Sequence, residues 1–336
     1  MNQHPSQPDE NQSTVGARYN SATEWMSFFT QRTGLIWAAG AGITQAAQLI
    51  ATEAVVHMVH PMQALFIRSC FLLIFVLFIS WNESQRYTAW DLVINISFGL
   101  FDAAAVFAAV TAMSFISAAD AGVILFNQPI PSSIAACVLL GESFDWLDGV
   151  LTVINCIGLV CICKTTMADQ GAAYSVDTAV TGHALLGILS SAVGLGFNTL
   201  VLIAARSLAH RDTEDPCLVS FMAGCNGLII SSVYLTLTSS WQLPETNQAV
   251  FYCILLGVVT ILCFYIYMNA VKMENVLIVA IAISLCIPLN FMFEFIFKGR
   301  TVFLVTLIGV VFTVGSTVLL YIKTFLTSRQ ETAENN

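Results

Sequence analysis

Ten runs of roughly 20 apolar residues, the length that crosses a bilayer core of about 30 Å, constrain this chain more than any other feature. They cover residues 34–57, 61–81, 90–113, 118–140 and 147–163, then 182–205, 218–239, 249–271, 276–297 and 302–322. Runs this long exceed the roughly 9–11 residues of a barrel strand and show no strict alternation, so each is a helix. With 57% hydrophobic and 10% charged residues, the chain has too little polar surface to cover a water-soluble globule. The expected fold is an all-α integral membrane protein of ten transmembrane helices.

The spans fall into two groups of five around the polar stretch 165–181, "TTMADQGAAYSVDTAVT". The organisation expected is a polar cytoplasmic tail (1–33), a first five-helix repeat (34–164), a linker (165–181), a second repeat (182–323) and a cytoplasmic tail (324–336). A shift of 158 positions lays Ala112 on Ala270 and Gly141-Glu142 on Gly299-Arg300; with a one-residue slip, Pro129 falls on Pro288. Five is odd, so the second group enters the membrane with opposite orientation, giving an inverted repeat.

Basic residues support one orientation. Arg18, Arg32, Arg86, Arg206, Arg211, Lys272, Lys323 and Arg329 fall on one side, against Lys164, Lys298 and Arg300 on the other. That bias predicts cytoplasmic termini, in the plasma membrane or a secretory-pathway organelle. The Asn82-Glu83-Ser84 sequon then faces the cytoplasm and carries no glycan. The net charge of −9 gives no reason to expect nucleic acid. Most of the ten cysteines lie inside spans as small apolar residues, and no pair has redox or zinc spacing.

The first hairpin concentrates charge. In "EAVVHMVHP", Glu53, His57 and His60 fall within about 60° on a continuous helix, as metal ligands could. No fourth ligand accompanies them and the HExxH arrangement is missing, so neither metal nor cofactor is expected. Glu53 lies eight residues before Pro61 and Arg68 seven after it, which puts both roughly 10–12 Å from the turn. An unpaired charge near the bilayer centre costs on the order of 3 kcal/mol, so each needs a partner or a wet cavity. Glu53 either pairs with Arg68 or faces the cavity as a proton or substrate site. Asp102, mid-span in "GLFDAAAVFAA", is either an interhelical contact or a cavity carboxylate.

Two proline stretches lie near the midplane. In "FNQPIPS", Pro129 and Pro131 each remove a backbone donor and free a carbonyl, and Asn127 and Gln128 add polar groups. "SLCIPLN", with Ser284, Pro288 and Asn290, is the counterpart in the ninth span. Both are read as kinks that either shape packing or expose polar groups to substrate. Asn198, Tyr265 and Asn269 rank below these as cavity residues, because interhelical hydrogen bonds account for most such side chains.

"HPMQALFIRSCFLLIFVLF" and "ISAADAGVILFNQPIPSSIAACVLLGESFDWLDGVLTVINCIGLVCI" resemble the EamA-type half of the drug/metabolite transporter superfamily, and the arginine-bearing second span resembles solute carrier family 35, group G. Arg68, Pro129, Gly141-Glu142 and Pro288 carry the likeness, whereas Gly299-Arg300 departs from it. The resemblance implies a ten-helix carrier with a central cavity.

The expected function is a secondary transporter moving a small polar or anionic metabolite by alternating access, and not an enzyme. Its partners would be a small-molecule solute, the lipid bilayer, a coupling proton or counter-substrate, and a second copy as homodimer. The rival readings are a nucleotide-sugar exchanger, a metal-dependent intramembrane enzyme using Glu53, His57 and His60, and a non-transporting membrane scaffold.

Overall fold

The computed structural model describes residues 33–78, 88–141, 145–173, 178–211, 215–242, 244–298 and 304–334. The tail 1–32, the sequon, Glu142 and Gly299-Arg300 lie outside them. Every regular element among the described residues is a helix: α1 Thr33–Val56, α2 Pro61–Phe78, α3 Ala89–Met113, α4 Ala118–Leu125, α5 Pro129–Leu140, α6 Trp146–Ala173, α7 Thr178–His210, α8 Pro216–Leu237, α9 Asn247–Met273, α10 Val276–Ile283, α11 Cys286–Lys298 and α12 Leu304–Glu334. Among the described residues, seven stretches are long and apolar enough to cross a membrane: α1, α2, α3, α8, α9, Leu185–Ala209 of α7, and Val276–Phe297, which takes in most of α10 and α11. The three other expected spans fall on α4 with α5, on α6 and on α12. Large apolar side chains such as Leu77, Val138, Leu237 and Leu304 cover the perimeter, as lipid-facing residues do.

Local sequence sets the helix starts. Asp91 N–H donates to Thr88 Oγ1 at 3.3 Å and Thr88 N–H returns a bond to the Asp91 carboxylate at 2.9 Å, closing a capping box on α3. Asp215 caps α8 by accepting from Cys217 N–H, and Pro216 occupies a first-turn position where no donor is needed.

Three features depart from the sequence reading. First, α1 stops at Val56 and His57 lies in the turn beyond it, so Glu53, His57 and His60 do not share a helical face. His60 precedes Pro61, whose ring disfavours the α conformation in its neighbour. Second, the proline sites are breaks, not kinks. Phe126–Gln128 separates α4 from α5, and Ser284 and Leu285 separate α10 from α11. Pro129 begins a new helix, where its missing N–H costs nothing. Third, α6 and α7 run through most of the expected linker, and α12 continues to Glu334 through the expected tail. Polarity ends an apolar run, but alanine, methionine and glutamine remain good helix formers.

Packing brings the two groups of helices together in matched sets. α3 packs on α7 as α9 packs on α1, α3 on α8 as α9 on α2, α4 on α7 as α10 on α1, and α5 on α10 as α11 on α4. α2 packs on α8, and α6 on α12. Exchanging α1–α6 for α7–α12 maps this set onto itself. The buried core, with Phe98, Leu125, Leu202 and Met268, surrounds the two helix breaks.

Candidate functional site

Arg68 of α2 and Asp102 of α3 form a bidentate ion pair inside the bundle. Nη1 donates to Oδ2 at 2.7 Å and Nη2 to Oδ1 at 2.9 Å, with the side chains 8% and 12% exposed. The planar guanidinium fork matches both carboxylate oxygens, the arrangement that best repays desolvating two charges. The pairing of Arg68 with Glu53 is therefore corrected: Arg68 turns toward α3. Depth along the hairpin placed Glu53 and Arg68 level, but it did not fix which way around α2 the arginine points. Glu53 is buried elsewhere, its Oε1 accepting from Ala118 N–H at 3.3 Å at the start of α4.

The ion pair lines a cavity of about 80 Å³. Gln45 and Gln48 reach it from α1, Gln128 from the break before α5, Asn198 from α7, and Thr260, Cys263 and Tyr267 from α9, with Phe98, Phe126 and Phe264 as apolar walls. Gln48 Nε2 donates to Thr260 Oγ1 at 3.5 Å, and Cys263 Sγ donates to Gln45 Oε1 at 3.0 Å. Two buried atoms here have no hydrogen-bond partner: Arg68 Nε, a donor on a cation, and Gln128 Oε1, an acceptor. Each is costly when unmet, so the cavity presents an unfilled demand for both a donor and an acceptor.

Of the residues singled out from sequence, Arg68, Asp102, Gln128 and Asn198 meet at this cavity. Asn127 turns instead to α6, where its Oδ1 accepts from Cys156 Sγ at 3.4 Å. Asn290 is 2% exposed, with neither amide atom hydrogen-bonded. Tyr265 is 43% exposed and its ring meets Trp37 edge-on at 5.8 Å, while Asn269 donates to the Tyr265 carbonyl at 2.8 Å. Both therefore sit on another face of α9. The cavity face of that helix carries Thr260, Cys263 and Tyr267, whose spacing of three and four residues is the helical signal that finds them. Gln45 and Gln48, three apart in an otherwise apolar run, give the same signal on α1.

The two histidines belong to the hairpin turn. His57 is exposed, whereas His60 accepts from Met62 N–H through Nδ1 at 3.3 Å and lies 5.9 Å from the Tyr234 ring. Burial holds the His60 imidazole below its ordinary value of 6.5. A pKa lower folded than unfolded means the unfolded chain binds the proton first, so this contribution is complete above pH 6.5 and declines as pH falls. Thermal melts between pH 7.5 and 5.5 should show a small acid-side loss, reduced in His60→Asn. An equal loss in that variant would place the titration elsewhere.

An all-helical bundle with an apolar perimeter and a charged pair in an internal polar cavity is a multi-pass membrane protein. Residues 32–163 match the EamA-like transporter family. It resembles the human protein solute carrier family 35 member G1, at 25% identity over 181 residues, covering 54% of this chain and 49% of that protein. The match thus spans about half the relative's length. A solved structure described as "Crystal structure of protein" superposes with a TM-score of 0.66 at 15% identity, covering 85% of this chain and 96% of that one. Identity that low speaks for the fold alone.

Proposed function

We propose that this protein is a secondary transporter that moves a small polar or anionic solute by alternating access through the Arg68–Asp102 cavity. The observation that carries the reading is the buried bidentate pair lining a polar cavity that also holds an unpartnered donor and an unpartnered acceptor. Intramembrane charges placed this way mark substrate and ion pathways.

The matched helix pairs support ten spans arranged as two inverted five-helix repeats, with α4/α5 and α10/α11 as the broken fourth and ninth spans. Cavity residues recur at related positions: Asp102 and Thr260 are 158 apart, and Gln45 and Asn198 are 153 apart. Rocking one half against the other about this point exposes the same residues to each side in turn. Both termini lie on the cytoplasmic side in this reading.

Size and charge favour a small solute over a nucleotide sugar. The cavity of about 80 Å³ holds a few waters, and among its described lining Arg68 is the one cation available for a diphosphate. Counterflow in proteoliposomes, with a panel of labelled organic acids, amino acids, sugars and nucleotide sugars, tests the proposal. Saturable exchange of a small polar or anionic solute, lost in Asp102→Asn, is the expected result. Exchange confined to nucleotide sugars, or flux indifferent to Asp102, would overturn it.

A further inference from the structure

Glu53 and Arg206 lie outside the cavity, and both are buried or half-buried charges engaging a helix end. Glu53, near the end of α1, takes the N–H of Ala118, the first residue of α4. Arg206, near the end of α7, donates to the carbonyls of Val271 and Lys272 at 2.7 and 3.2 Å, closing α9, and to Asn275 Oδ1 at 3.1 Å, at the cap of α10. Glu53 and Arg206 are 153 positions apart, as are Gln45 and Asn198, and the exchange of α1–α6 for α7–α12 carries one locus onto the other. Each charge has the sign its helix end favours: a carboxylate at an N-terminus and a guanidinium at a C-terminus.

A second observation points to opening at the Glu53 end. One turn deeper, Leu49 of α1, Gly122 of α4 and Asn290 of α11 meet; a Cβ on Gly122 would lie 2.8 Å from Leu49 Cδ2 and 3.6 Å from Asn290 Nδ2. Asn290 is buried there with both Nδ2 and Oδ1 unpartnered. A closed seam that buries an unmet amide is penalised, and admitting water relieves the penalty. The seam thus holds opposing terms, a charge-assisted bond that shuts it and an orphaned amide that favours hydration.

We propose that Glu53 and Arg206 are symmetry-related latches of the two mouths of the central cavity, and that Asn290 biases the Glu53 mouth toward opening. This rests on the alternating-access reading and supplies its closure elements. Releasing Glu53 from Ala118 frees α4 to leave α1; releasing Arg206 frees the α9–α10 corner to leave α7. In the inverted-repeat reading the two releases fall on opposite sides of the membrane, so each exposes the cavity to a different side.

Cys263 is a native reporter, since its thiol lines the cavity. The full-length protein in sealed right-side-out and inside-out vesicles is treated with a membrane-impermeant methanethiosulfonate, and Cys263 modification is followed by peptide mass spectrometry. Glu53→Gln should speed labelling about tenfold from one side, and Arg206→Gln by a similar factor from the other, the loss expected for a charge-assisted bond. Ala118→Pro, which deletes the N–H at a first-turn position suited to proline, should reproduce Glu53→Gln without touching the carboxylate. Asn290→Leu should slow labelling from the Glu53 side about threefold or more. Acceleration from the same side by Glu53→Gln and Arg206→Gln overturns the proposal, as does an Ala118→Pro variant that folds and labels like the parent. No solute is required, so a failed counterflow screen and a failed latch give separate results.

Discussion

Asp102→Leu is expected to be among the most damaging single substitutions in the protein, because it strands the buried Arg68 with its fork empty. Removing one partner of a buried ion pair costs about 3–5 kcal/mol, mostly the price of the charge left behind. Replacing both partners by apolar residues of similar shape is often close to neutral, so Arg68→Met with Asp102→Leu should recover most of the stability lost by either change alone. Transport should follow a different pattern. Both single variants and the double variant should be inactive in counterflow, since the double variant restores packing but not the charges that meet a solute. Melting temperatures in detergent and counterflow rates in liposomes, taken on the same four proteins, separate the two roles. A double variant that transports would reduce the pair to a structural staple. A stable, active Asp102→Leu would remove it from the site altogether.

The reach of the sequence follows the range of the interaction concerned. Helical spans were legible because crossing hydrocarbon requires about 20 apolar residues whatever surrounds them. Both proline sites were legible as interruptions, since a missing N–H disturbs a helix locally; their resolution into separate helices depends on what packs beside them, and α4/α5 and α10/α11 pack against each other. The ion pair was half legible. Arg68 and Asp102 each announced themselves as charges needing a partner, but the choice between Asp102 and Glu53 is a matter of rotation about α2, which a single hairpin does not fix. Glu53 finds its place at the start of α4, a backbone donor that no pattern of side chains reveals. Tyr265 and Asn269 share a helical face at i, i+4 and could orient a polar solute, whereas the face of α9 that meets the cavity carries Thr260, Cys263 and Tyr267.

The two halves offer a sharper test of their equivalence in a pair of glycines. Gly99 and Gly257 are 158 positions apart, and each sits where a third helix of one half crosses the second helix of the other, α3 on α8 and α9 on α2. The space beside them is filled differently. A Cβ on Gly99 would lie 2.6 Å from the Met222 carbonyl carbon and oxygen and 2.7 Å from Asn226 Nδ2, whereas one on Gly257 would fall on the ring of Phe71, which is half-buried. Backbone inside a packed helix has nowhere to go, while a partly exposed ring can turn away. Gly99→Ala should therefore force α3 off α8 at about 1–3 kcal/mol, in the range of overpacked cores, and abolish transport by disturbing the helix that holds Asp102. Gly257→Ala should cost clearly less. Second-site changes separate the causes: Phe71→Ala should relieve Gly257→Ala, giving a large coupling in a double-mutant cycle, whereas Asn226→Ala should leave Gly99→Ala nearly as damaging, because Met222 still blocks the crossing. Thermal melts on the two cycles supply the comparison. If Asn226→Ala rescues Gly99→Ala as fully as Phe71→Ala rescues Gly257→Ala, backbone contact is not what fixes the α3–α8 crossing, and the asymmetry between the halves lies only in their side chains.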